Sequence, residues 1–531
     1  MQNAHENASR WHRVNSNIIV SLSRITGIGE KEMAMITVNG TAYRAASGTL
    51  LGKLLAEKAV MSMPCGGHGR CGKCKVTVRG AVSDLSDTEK RLLTEEEIRQ
   101  GVRLACCTTV KGDCTVSLAG TGNGQIRISG DMPEIRLQPG FRSYGFVLDI
   151  GTTTLAARLY NVQGTLLAEG SRLNPQSSWG ADVISRIEAA LDGADKAIAE
   201  AICKAMDCLL SQLSEAAGIT PAEIDGVVIT GNTVMLHLLT ATSTEPLSHA
   251  PFAAKRLFGE TVSAGELGIA ELSSETEVYL APCASAFVGA DLITALLASG
   301  ICESDSTQLL TDIGTNGEMA LWHEGKLTCC STAAGPAFEG AGISMGMGGS
   351  PGAIDRVAVQ NGRLTAHVIG DGLPRGICGS GIVDAVACLL ETAQIEETGY
   401  MEEDSAMILP PVRLSREDIR AVQLAKGAIH AGIRTLLSSA GLRCEEVSHL
   451  VIAGGFGSYL NAENAGKIGL LPAEMISRIR VVGNAALSGA AMLLLNQEYR
   501  ASCERYAKLA QVLDLSSDPV FAEEYMERMM F

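Results

Sequence analysis

The stretch Leu309-Leu-Thr-Asp-Ile-Gly-Thr-Asn-Gly-Glu318 decides how most of this chain folds. A related stretch, Gly145-Phe-Val-Leu-Asp-Ile-Gly-Thr-Thr-Thr154, occurs earlier in the sequence. In each, a short apolar run typical of a buried strand meets an Asp-Ile-Gly-Thr turn, and a second strand with its own turn follows. One such stretch alone would be an ordinary strand-to-turn transition. The prediction of the fold therefore depends on the occurrence of two stretches.

A second matched pair lies downstream of the two stretches. Residues Ala217–Asn232 align without gaps on Ala440–Gly455. Each of these segments follows a long helical pattern, Asp195–Glu215 in one case and Arg416–Ser439 in the other. The same four-part order therefore occurs twice, which indicates an internal duplication and not a chance repeat of a short motif.

The duplication predicts an α/β body with two lobes, residues 144–305 and 306–531. This body resembles the actin-like (RNase H-like) ATPase superfamily, which includes sugar kinases, acetate kinase, chaperone ATPases and actin. N–H groups and hydroxyls of glycine- and threonine-rich hairpins can hold phosphate oxygens, and two facing hairpins would clamp them. The resemblance implies that Asp149 and Asp312 hold Mg²⁺ or its waters and orient an attacking water.

The resemblance also implies an adenosine turn at Gly454-Gly-Phe-Gly-Ser458, where glycine lets the backbone approach the nucleotide closely. The nucleotide-binding residues that it implies are Gly151, Thr152, Thr153, Gly314, Thr315, Asn316, Gly454, Gly455 and Phe456. A Rossmann dinucleotide site is not predicted, because no strand is followed by G-x-G-x-x-G with an acidic residue further on. Glycine-rich stretches at 331–340, 346–349 and 376–381 are further candidates for the lining of the cleft.

Four cysteines nearer the N-terminal end have the spacing of an iron–sulfur site. Cys65, Cys71 and Cys74 share one loop in a C-x5-C-x2-C pattern, and Cys106 follows at the end of Arg103-Leu-Ala-Cys106. Three ligands in one loop with one distant ligand favour a [2Fe–2S] cluster, whereas structural zinc usually takes two close pairs. A zinc site and a site without metal remain open as alternatives.

The fourth ligand has three candidates. Cys106 ends an Arg-Leu-Ala-Cys motif of the kind found in ferredoxins and is the residue we select. Its neighbour Cys107 should point the other way, because side chains alternate along a strand. Cys114 lies in a later predicted strand and is the weaker candidate. His68, inside the cysteine loop, is expected to face solvent and not to bind metal.

Residues 33–118 surround these cysteines with the elements of a small α+β domain. A strand with an Asn-Gly turn starts near Met35, a helical stretch follows at Thr49–Val60, and short strands complete the segment. This order resembles the β-grasp ferredoxins of plant type, with a loop spacing of the adrenodoxin kind. Residues 119–143 are rich in glycine, proline and polar residues and are expected to form a flexible or semi-extended connector.

Composition excludes several classes of partner. The net charge is −16 and only 4% of residues are aromatic, which argues against binding to nucleic acid or to anionic membrane surfaces. Neither a signal peptide nor an apolar run long enough to span a membrane is recognised. We therefore expect a cytoplasmic protein whose cysteines, apart from the cluster ligands, are reduced and mostly buried.

The combination of a ferredoxin domain with this body resembles the reductive activators of corrinoid enzymes. The motifs that carry the resemblance are Asp149-Ile-Gly-Thr-Thr-Thr154, Asp312-Ile-Gly-Thr-Asn-Gly-Glu318, Ser331-Thr-Ala-Ala-Gly-Pro-Ala-Phe-Glu-Gly340 and Gly376-Ile-Cys-Gly-Ser-Gly381. It implies ATP-dependent reduction of Co(II) to Co(I) through the [2Fe–2S] cluster. The implied partners are the corrinoid protein of a methyltransferase system, such as an O-demethylase, and an external low-potential electron donor.

Three points complete the sequence-based expectations. The contact with the partner is expected in the 331–340 loop, at Ser331 and Thr332, and a homodimer is the oligomer we consider.

The polar stretch from Asn174 to Arg186 is expected to be a surface loop that enters a helix capped by Asp182. The alternative functions are another ATPase coupled to electron transfer, a redox-sensing ATPase, a small-molecule kinase with a regulatory ferredoxin domain, and a plain electron carrier.

Overall fold

The fold is described from a computed structural model in which residues 33–58, 61, 63, 67, 69, 72–118, 132–455 and 459–531 are described. The chain forms two compact units. The smaller unit carries most of the predicted ferredoxin domain, and the larger unit carries the predicted ATPase body. Among the described helices, none is both long enough and apolar enough to cross a membrane.

The smaller unit is a five-stranded mixed sheet with short helices. Its strands are β1 (Met33–Val38), β2 (Thr41–Ala46), β3 (Lys75–Val82), β4 (Val102–Leu104) and β5 (Val110–Ser117), and its helices are α1 (Leu51–Glu57), α2 (Asp87–Leu92) and α3 (Glu95–Arg99). The strand order is β2-β1-β5-β3-β4, with β1 and β5 parallel. Asn39 and Gly40 both have positive φ, as a tight hairpin turn requires. The predicted β-grasp fold of this unit is confirmed.

The larger unit contains two six-stranded sheets. The first lobe contains β6 (Tyr144–Ile150), β7 (Thr154–Asn161), β8 (Leu166–Leu173), β9 (Ile224–Gly231), β10 (Glu260–Ser263) and β11 (Glu277–Leu280), with α4 (Val183–Ala189), α5 (Asp195–Ala217), α6 (Thr233–Leu239), α7 (Ala264–Leu267) and α8 (Ala290–Ser299). A π-helical turn at Ala190–Ala194 joins α4 to α5.

The second lobe repeats this plan with additions. Its strands are β12 (Gln308–Ile313), β13 (Gly317–His323), β14 (Lys326–Thr332), β15 (Ala353–Gln360), β16 (Arg363–Val368), β17 (Gly376–Ile377), β18 (Ser405–Leu409), β19 (Val412–Ser415), β20 (His449–Ala453), β21 (Ile479–Gly483) and β22 (Ala510–Val512). Its helices are α9 (Gly379–Glu391), α10 (Arg416–Ser439), α11 (Ala462–Lys467), α12 (Ala485–Leu495), α13 (Tyr499–Leu509) and α14 (Pro519–Glu527).

The two main sheets confirm the duplicated α/β fold. Five strands of the first sheet follow the order β11-β9-β6-β7-β8, and five strands of the second follow β21-β20-β12-β13-β14. In the first sheet, β6 ends at the Asp-Ile-Gly-Thr turn, pairs antiparallel with β7 and pairs parallel with β9. In the second sheet, β12 does the same with β13 and β20. Each turn is therefore placed at the end of a central, buried strand.

The predicted limits of the lobes do not separate two independent cores. Helix α12 belongs to the second half of the sequence, yet it packs against α8 and against β6 and β9 of the first lobe. The same hydrophobic core contains apolar residues from both main sheets. One helix from the end of the chain thus joins the two lobes.

Part of the predicted connector is fixed to the larger unit. The N–H of Gln138 donates to the carbonyl of Leu495 at 2.8 Å, and the N–H of Gln497 donates to the carbonyl of Gln138 at 3.2 Å. The side chain of Asn496 donates to the carbonyl of Arg136 at 2.9 Å. Of the two expected forms, a flexible connector does not apply to residues 136–138, and residues 119–131 lie outside the described part of the chain.

Helix α12 approaches α8 so closely that only glycine fits at one position. A Cβ at Gly489 would overlap the carbonyl oxygen of Thr294, which belongs to the backbone and cannot rotate away. We expect Gly489→Ala to lower the free energy of unfolding by about 3 kcal/mol, the upper range for overpacking. Urea unfolding of the full chain would measure this loss.

Gly372→Ala is the matched control for this substitution. Gly372 is exposed, has no positive φ and has no close atom beyond the carbonyl of Gly370 at 4.0 Å. Its replacement should change stability by less than about 0.5 kcal/mol. Equal midpoints for the two variants would show that the α8–α12 contact tolerates a methyl group.

Candidate nucleotide cleft and iron–sulfur region

A cavity of about 360 Å³ lies between the two lobes of the larger unit. Both Asp-Ile-Gly-Thr turns line it, which follows from the equivalent positions of β6 and β12 in their sheets. The sequence-predicted residues on its wall are Asp149, Gly151, Thr152, Thr153, Asp312, Gly314, Thr315, Asn316, Gly454 and Gly455. Phe456 lies outside the described residues.

The glycine-rich stretches named from the sequence also reach this cavity. Phe338 and Glu339 come from the first of them, Met347–Gly349 from the second, and Cys378–Ser380 from the third. Gly454 has a φ of +92°, and a Cβ there would lie 2.6 Å from an oxygen of Asp312. The close approach of the Gly454 backbone to the β12 carboxylate therefore requires glycine.

Glu339 joins the two hairpins across the cavity. Its carboxylate accepts a hydrogen bond from the Thr153 hydroxyl at 2.6 Å. It also accepts bonds from the N–H and the hydroxyl of Thr315, both at 2.9 Å. The two threonine hydroxyl oxygens lie 3.4 Å apart. Donors from both lobes thus converge on one anionic group, which is what phosphate binding between the hairpins requires.

Four carboxylates surround the base of the cleft, of which Asp149, Asp291 and Asp312 are half-buried and Glu318 is buried. Burial raises the pKa of Asp149 to about 6, with Asn484 donating to it at 3.0 Å and opposing the rise. Burial and the charge of Asp149 raise the pKa of Asp291 to about 7. Burial and the charges of Asp291 and Asp149 raise the pKa of Asp312 to about 8.

Glu318 completes this acidic group. Burial and the charge of Asp291 raise its pKa well above the ordinary value, although Asn232 donates to it at 2.9 Å. Carboxylates that repel one another in a buried site are stabilised by a cation, so the donor set fits Mg²⁺. Among the described residues, no three metal-ligating side chains converge on one point. An ion held by one or two carboxylates together with waters and phosphates fits this arrangement.

Sequence reasoning missed Asp291, Glu318 and Glu339 as residues of the cleft. Glu318 and Glu339 stood inside quoted motifs, where their acidic side chains next to glycines were the available signal. Asp291 is a lone carboxylate in the first turn of the apolar helix α8, and its buried position depends on the packing of that helix. Only the tertiary arrangement brings it next to Asp149 and Asp312.

The proposed partner-contact residues differ in exposure. Ser331 is half-buried on β14. Thr332 is only 4% exposed, and its hydroxyl donates to the carbonyl of Gly317 at 3.3 Å. The side chain of Thr332 therefore supports the second hairpin from inside and is not on the surface, while Ser331 stays a predicted contact.

In the smaller unit, two of the predicted cluster ligands lie together. The sulfurs of Cys74 and Cys106 are 3.2 Å apart. Two sulfurs bound tetrahedrally to one metal ion lie about 3.8 Å apart, so these two can share an iron after a small adjustment. The hydrogen bond between the two sulfurs lowers the pKa of Cys74 to about 7 and raises the pKa of Cys106, so this pair of thiols loses its first proton readily and its second reluctantly. Cys65 and Cys71 lie outside the described residues.

The expectation that Cys107 points away from the cluster is wrong. Its sulfur lies 3.7 Å from that of Cys106. Residues Ala105–Cys107 form a 3₁₀ turn and not a strand, so side-chain alternation does not apply to them. Cys114 occupies a buried position on β5 opposite Gly80 of β3.

A buried ion pair holds the segment that ends in Cys106. Glu89 is fully buried and accepts hydrogen bonds from Arg103 at 2.8 and 3.0 Å. It also accepts the N–H of Leu104 at 3.0 Å. Burial alone would raise the pKa of Glu89, but these donors together with the N–H of Ser86 lower it from 4.5 to about 2. Glu89 thereby fixes the position of the Arg-Leu-Ala-Cys segment.

We expect Glu89→Gln to destabilise the smaller unit by about 3 kcal/mol, because it leaves Arg103 buried without its counter-charge. The stabilising contribution of ionised Glu89 is complete above pH 4.5, the unfolded value, and is lost as the pH falls towards 2. Denaturant unfolding followed by far-ultraviolet circular dichroism, repeated across this pH range, measures both effects.

Glu96→Gln is the matched control, since Glu96 forms an exposed pair with Arg99. Such a pair contributes at most about 1 kcal/mol. If Glu89→Gln unfolded at the same denaturant concentration as Glu96→Gln, the buried ion pair would have no role in holding this segment.

Sequence profiles of known families match nearly the whole of the described chain. The profile of the C-terminal domain of RACo, described as its ASKHA domain, matches residues 306–531. The RACo middle region matches residues 144–304. The 2Fe-2S iron-sulfur cluster binding domain matches residues 36–111.

Individual relatives agree with these profiles. The chain is 35% identical to the corrinoid activation enzyme RamQ of Eubacterium limosum, over 73% of this chain and 70% of that protein. It is 27% identical to the [Co(II) methylated amine-specific corrinoid protein] reductase of Methanosarcina barkeri, over 67% and 70% of the two chains. A solved reductive activator for corrinoid, iron-sulfur protein matches 94% of this chain and 98% of its own, with a TM-score of 0.72 and 27% identity.

Proposed function

This chain belongs to the RACo family of corrinoid activation enzymes, and from that premise we propose that it uses ATP to drive reduction of a corrinoid protein from Co(II) to Co(I). The corrinoid protein is proposed to serve a methyltransferase system such as an O-demethylase. An external low-potential donor supplies the electrons. The observation that carries the proposal is the convergence of donors from both hairpins on one anionic group in the cleft.

Cys65, Cys71, Cys74 and Cys106 would hold a [2Fe–2S] cluster, which would supply the single electron that Co(II) takes up. Each ~59 mV that this transfer runs uphill reduces its equilibrium constant tenfold. Co(I) is a very strong reductant, so the transfer needs a second source of free energy. Hydrolysis of ATP to ADP and phosphate is that source in our proposal.

Different residues of the cleft bind different parts of the nucleotide and its metal ion. Hairpin N–H groups and hydroxyls hold the phosphate oxygens, and the Gly454–Gly455 turn lies beside the adenosine. Asp149 and Asp312 hold Mg²⁺ or its waters and orient the attacking water. A bound Mg²⁺ would supply the positive charge that lets several carboxylates remain ionised beside the phosphates.

Glu339 offers a way to couple the nucleotide to the partner. A phosphate that takes the donors of Thr153 and Thr315 competes with the carboxylate of Glu339, which uses the same donors in this structure. Displacement of Glu339 would shift the 331–340 segment, on which Ser331 is the proposed partner contact. Binding the corrinoid protein in one nucleotide state and releasing it in another would then follow from a population shift.

The test is to mix the protein with a Co(II) corrinoid protein and a low-potential reductant and to follow Co(I) absorbance with and without Mg-ATP. We expect Co(I) to form only with ATP, with ADP inactive. ATP consumption without Co(I) formation, for any cognate corrinoid protein, would contradict the proposal. Phosphorylation of a small molecule in the same mixture would favour the kinase alternative.

A further inference from the structure

The first phosphate hairpin is held from behind at three consecutive carbonyl groups. The side-chain amide of Asn174 donates to the carbonyl of Gly151 at 2.8 Å. The guanidinium of Arg186 donates to the carbonyl of Thr152 at 2.6 Å. The backbone N–H of Asn174 donates to the carbonyl of Thr153 at 2.8 Å. Two residues therefore fix the orientation of every peptide carbonyl in the turn.

Fixing these carbonyls also fixes the N–H groups of the turn. In a trans peptide the C=O and the following N–H point in nearly opposite directions. Carbonyls bound at the back of the hairpin therefore turn the N–H groups of Thr152 and Thr153 towards the other side. Both of these threonines line the nucleotide cavity. A row of N–H groups directed into a cavity is an anion-binding arrangement.

Arg186 brings a buried positive charge to this arrangement. The residue has no exposed surface, and its other contacts are to the carbonyl of Gly180 at 3.0 Å, the Gln176 amide oxygen at 3.4 Å and the Met235 sulfur at 3.2 Å. All of these acceptors are neutral, and the two carboxylates whose charges act on Arg186, those of Asp182 and Glu339, are not bonded to it directly. A buried cation held this way is stabilised by an anion on the far side of the hairpin.

The structure confirms the predicted helix cap of this segment and contradicts its predicted position on the surface. Asp182 caps α4 through the N–H of Ser185 at 2.8 Å, as predicted. The expected surface position is wrong, because Asn174 and Arg186 are 1% and 0% exposed. A Cβ at Gly180 would lie 2.5 Å from the Cβ of Ser185, so glycine lets the chain turn tightly enough to bury the arginine.

We propose that Asn174 and Arg186 are positioning residues for the nucleotide polyphosphate, which orient the N–H groups of the first hairpin and place a fixed positive charge behind them. Neither side chain touches the nucleotide; they act through the Gly151–Thr153 turn. This inference rests on the proposed ATP site. It predicts that their loss weakens recognition of phosphates and leaves recognition of the nucleoside unchanged.

The experiment titrates the full chain with Mg-ATP and, up to millimolar concentration, with adenosine. We expect Arg186→Met to weaken Mg-ATP binding at least about tenfold, the loss of one charged hydrogen bond, with adenosine affinity unchanged. Arg186→Lys keeps the charge and should be intermediate. In the electron-transfer assay the KM for ATP should rise while kcat at saturating ATP falls much less.

Asn174→Asp and Arg158→Met separate positioning from stability. Asn174→Asp is nearly isosteric, removes the donor to Gly151 and should lower the ratio of ATP to adenosine affinity as Arg186→Met does. Arg158 is a buried arginine of the same lobe whose side chain pairs with Glu169. Arg158→Met should lower thermal stability without changing the ratio of ATP to adenosine affinity. If Arg186 had only a structural role, Arg186→Met would behave in the same way.

The outcomes are distinct. If wild-type protein binds no Mg-ATP, the proposed function fails. If wild-type protein binds Mg-ATP and both Arg186→Lys and Asn174→Asp keep its ratio of ATP to adenosine affinity, the positioning role is overturned. If Arg186→Met does not fold, the ratio in Arg186→Lys and Asn174→Asp still decides.

Discussion

Asp312→Asn is expected to lower ATP-dependent Co(I) formation by roughly 10²–10⁴-fold and to leave the absorbance spectrum of the iron–sulfur cluster unchanged. Asp312 ends β12 in the buried acidic group of the cleft, where Asp291 and Asp149 are its charged neighbours. Asparagine keeps the shape of the side chain but cannot hold Mg²⁺ as a charged ligand or accept a proton from water. Co(I) absorbance with and without Mg-ATP measures the loss.

The same variant should be more stable than the native protein when no nucleotide or Mg²⁺ is bound. The folded pKa of Asp312 is raised from 3.8 to about 8, so the fold disfavours its ionised form. Its destabilising contribution is complete above pH 8 and disappears as the pH falls towards 3.8. The melting temperature of Asp312→Asn should therefore exceed that of the native protein by a few degrees at pH 8, and the difference should shrink at pH 5.

The control for both measurements is Asp305→Asn, an exposed carboxylate that shortly precedes β12 in the chain. It should change neither the rate of Co(I) formation nor the melting temperature. Full ATP dependence in Asp312→Asn would remove Asp312 from the catalytic group. A variant that was inactive but also less stable at pH 8 would show that the folded protein stabilises the ionised carboxylate of Asp312, through hydrogen-bond donors or a positive charge, and does not disfavour it.

Local patterns were enough to predict the two phosphate hairpins. An apolar run followed by Asp-Ile-Gly-Thr specifies a buried strand and a tight turn through neighbouring residues only, so Asp149 and Asp312 could be placed without knowledge of the tertiary structure. The duplication then placed them symmetrically, because equivalent strands occupy equivalent positions in the two sheets. The convergence of both turns on one cavity followed from these two facts.

The residues that the sequence did not reveal are those whose position depends on packing between distant segments. Asp291 reaches the acidic group only because α8 packs against β9 of the first sheet and against α12. Arg186 looked like a solvated helix residue, since an arginine in an amphipathic stretch is exposed in most proteins. Cys107 was misplaced because a local 3₁₀ turn replaced the expected strand. In each case a long-range contact or a departure from regular structure decided the outcome.

Cys106, the predicted fourth ligand of the cluster, is the second residue whose substitution should have a large effect. Cys106→Ser should abolish the visible absorbance and the electron paramagnetic resonance signal of a [2Fe–2S] cluster in the full chain, because serine replaces a thiolate ligand. Cys107→Ser should retain both signals. The reason for the difference is that the Cys106 sulfur lies 3.2 Å from that of Cys74, whereas the contact given for the half-buried Cys107 sulfur is with that of Cys106 at 3.7 Å.

The pair also tests whether the two activities reside in separate units of the chain. ATP hydrolysis should survive in Cys106→Ser, since Thr153, Thr315 and Glu339 contact one another within the larger unit. Co(I) formation should be lost in the same variant, because no electron reaches the corrinoid protein. A cluster that was lost in Cys107→Ser but kept in Cys106→Ser would exchange the two assignments, and the 3₁₀ turn makes this possible by a rotation of a single residue. A cluster that was kept in both single variants would show that either of the two neighbouring cysteines can serve as the ligand, and the double variant would then test Cys114 on β5.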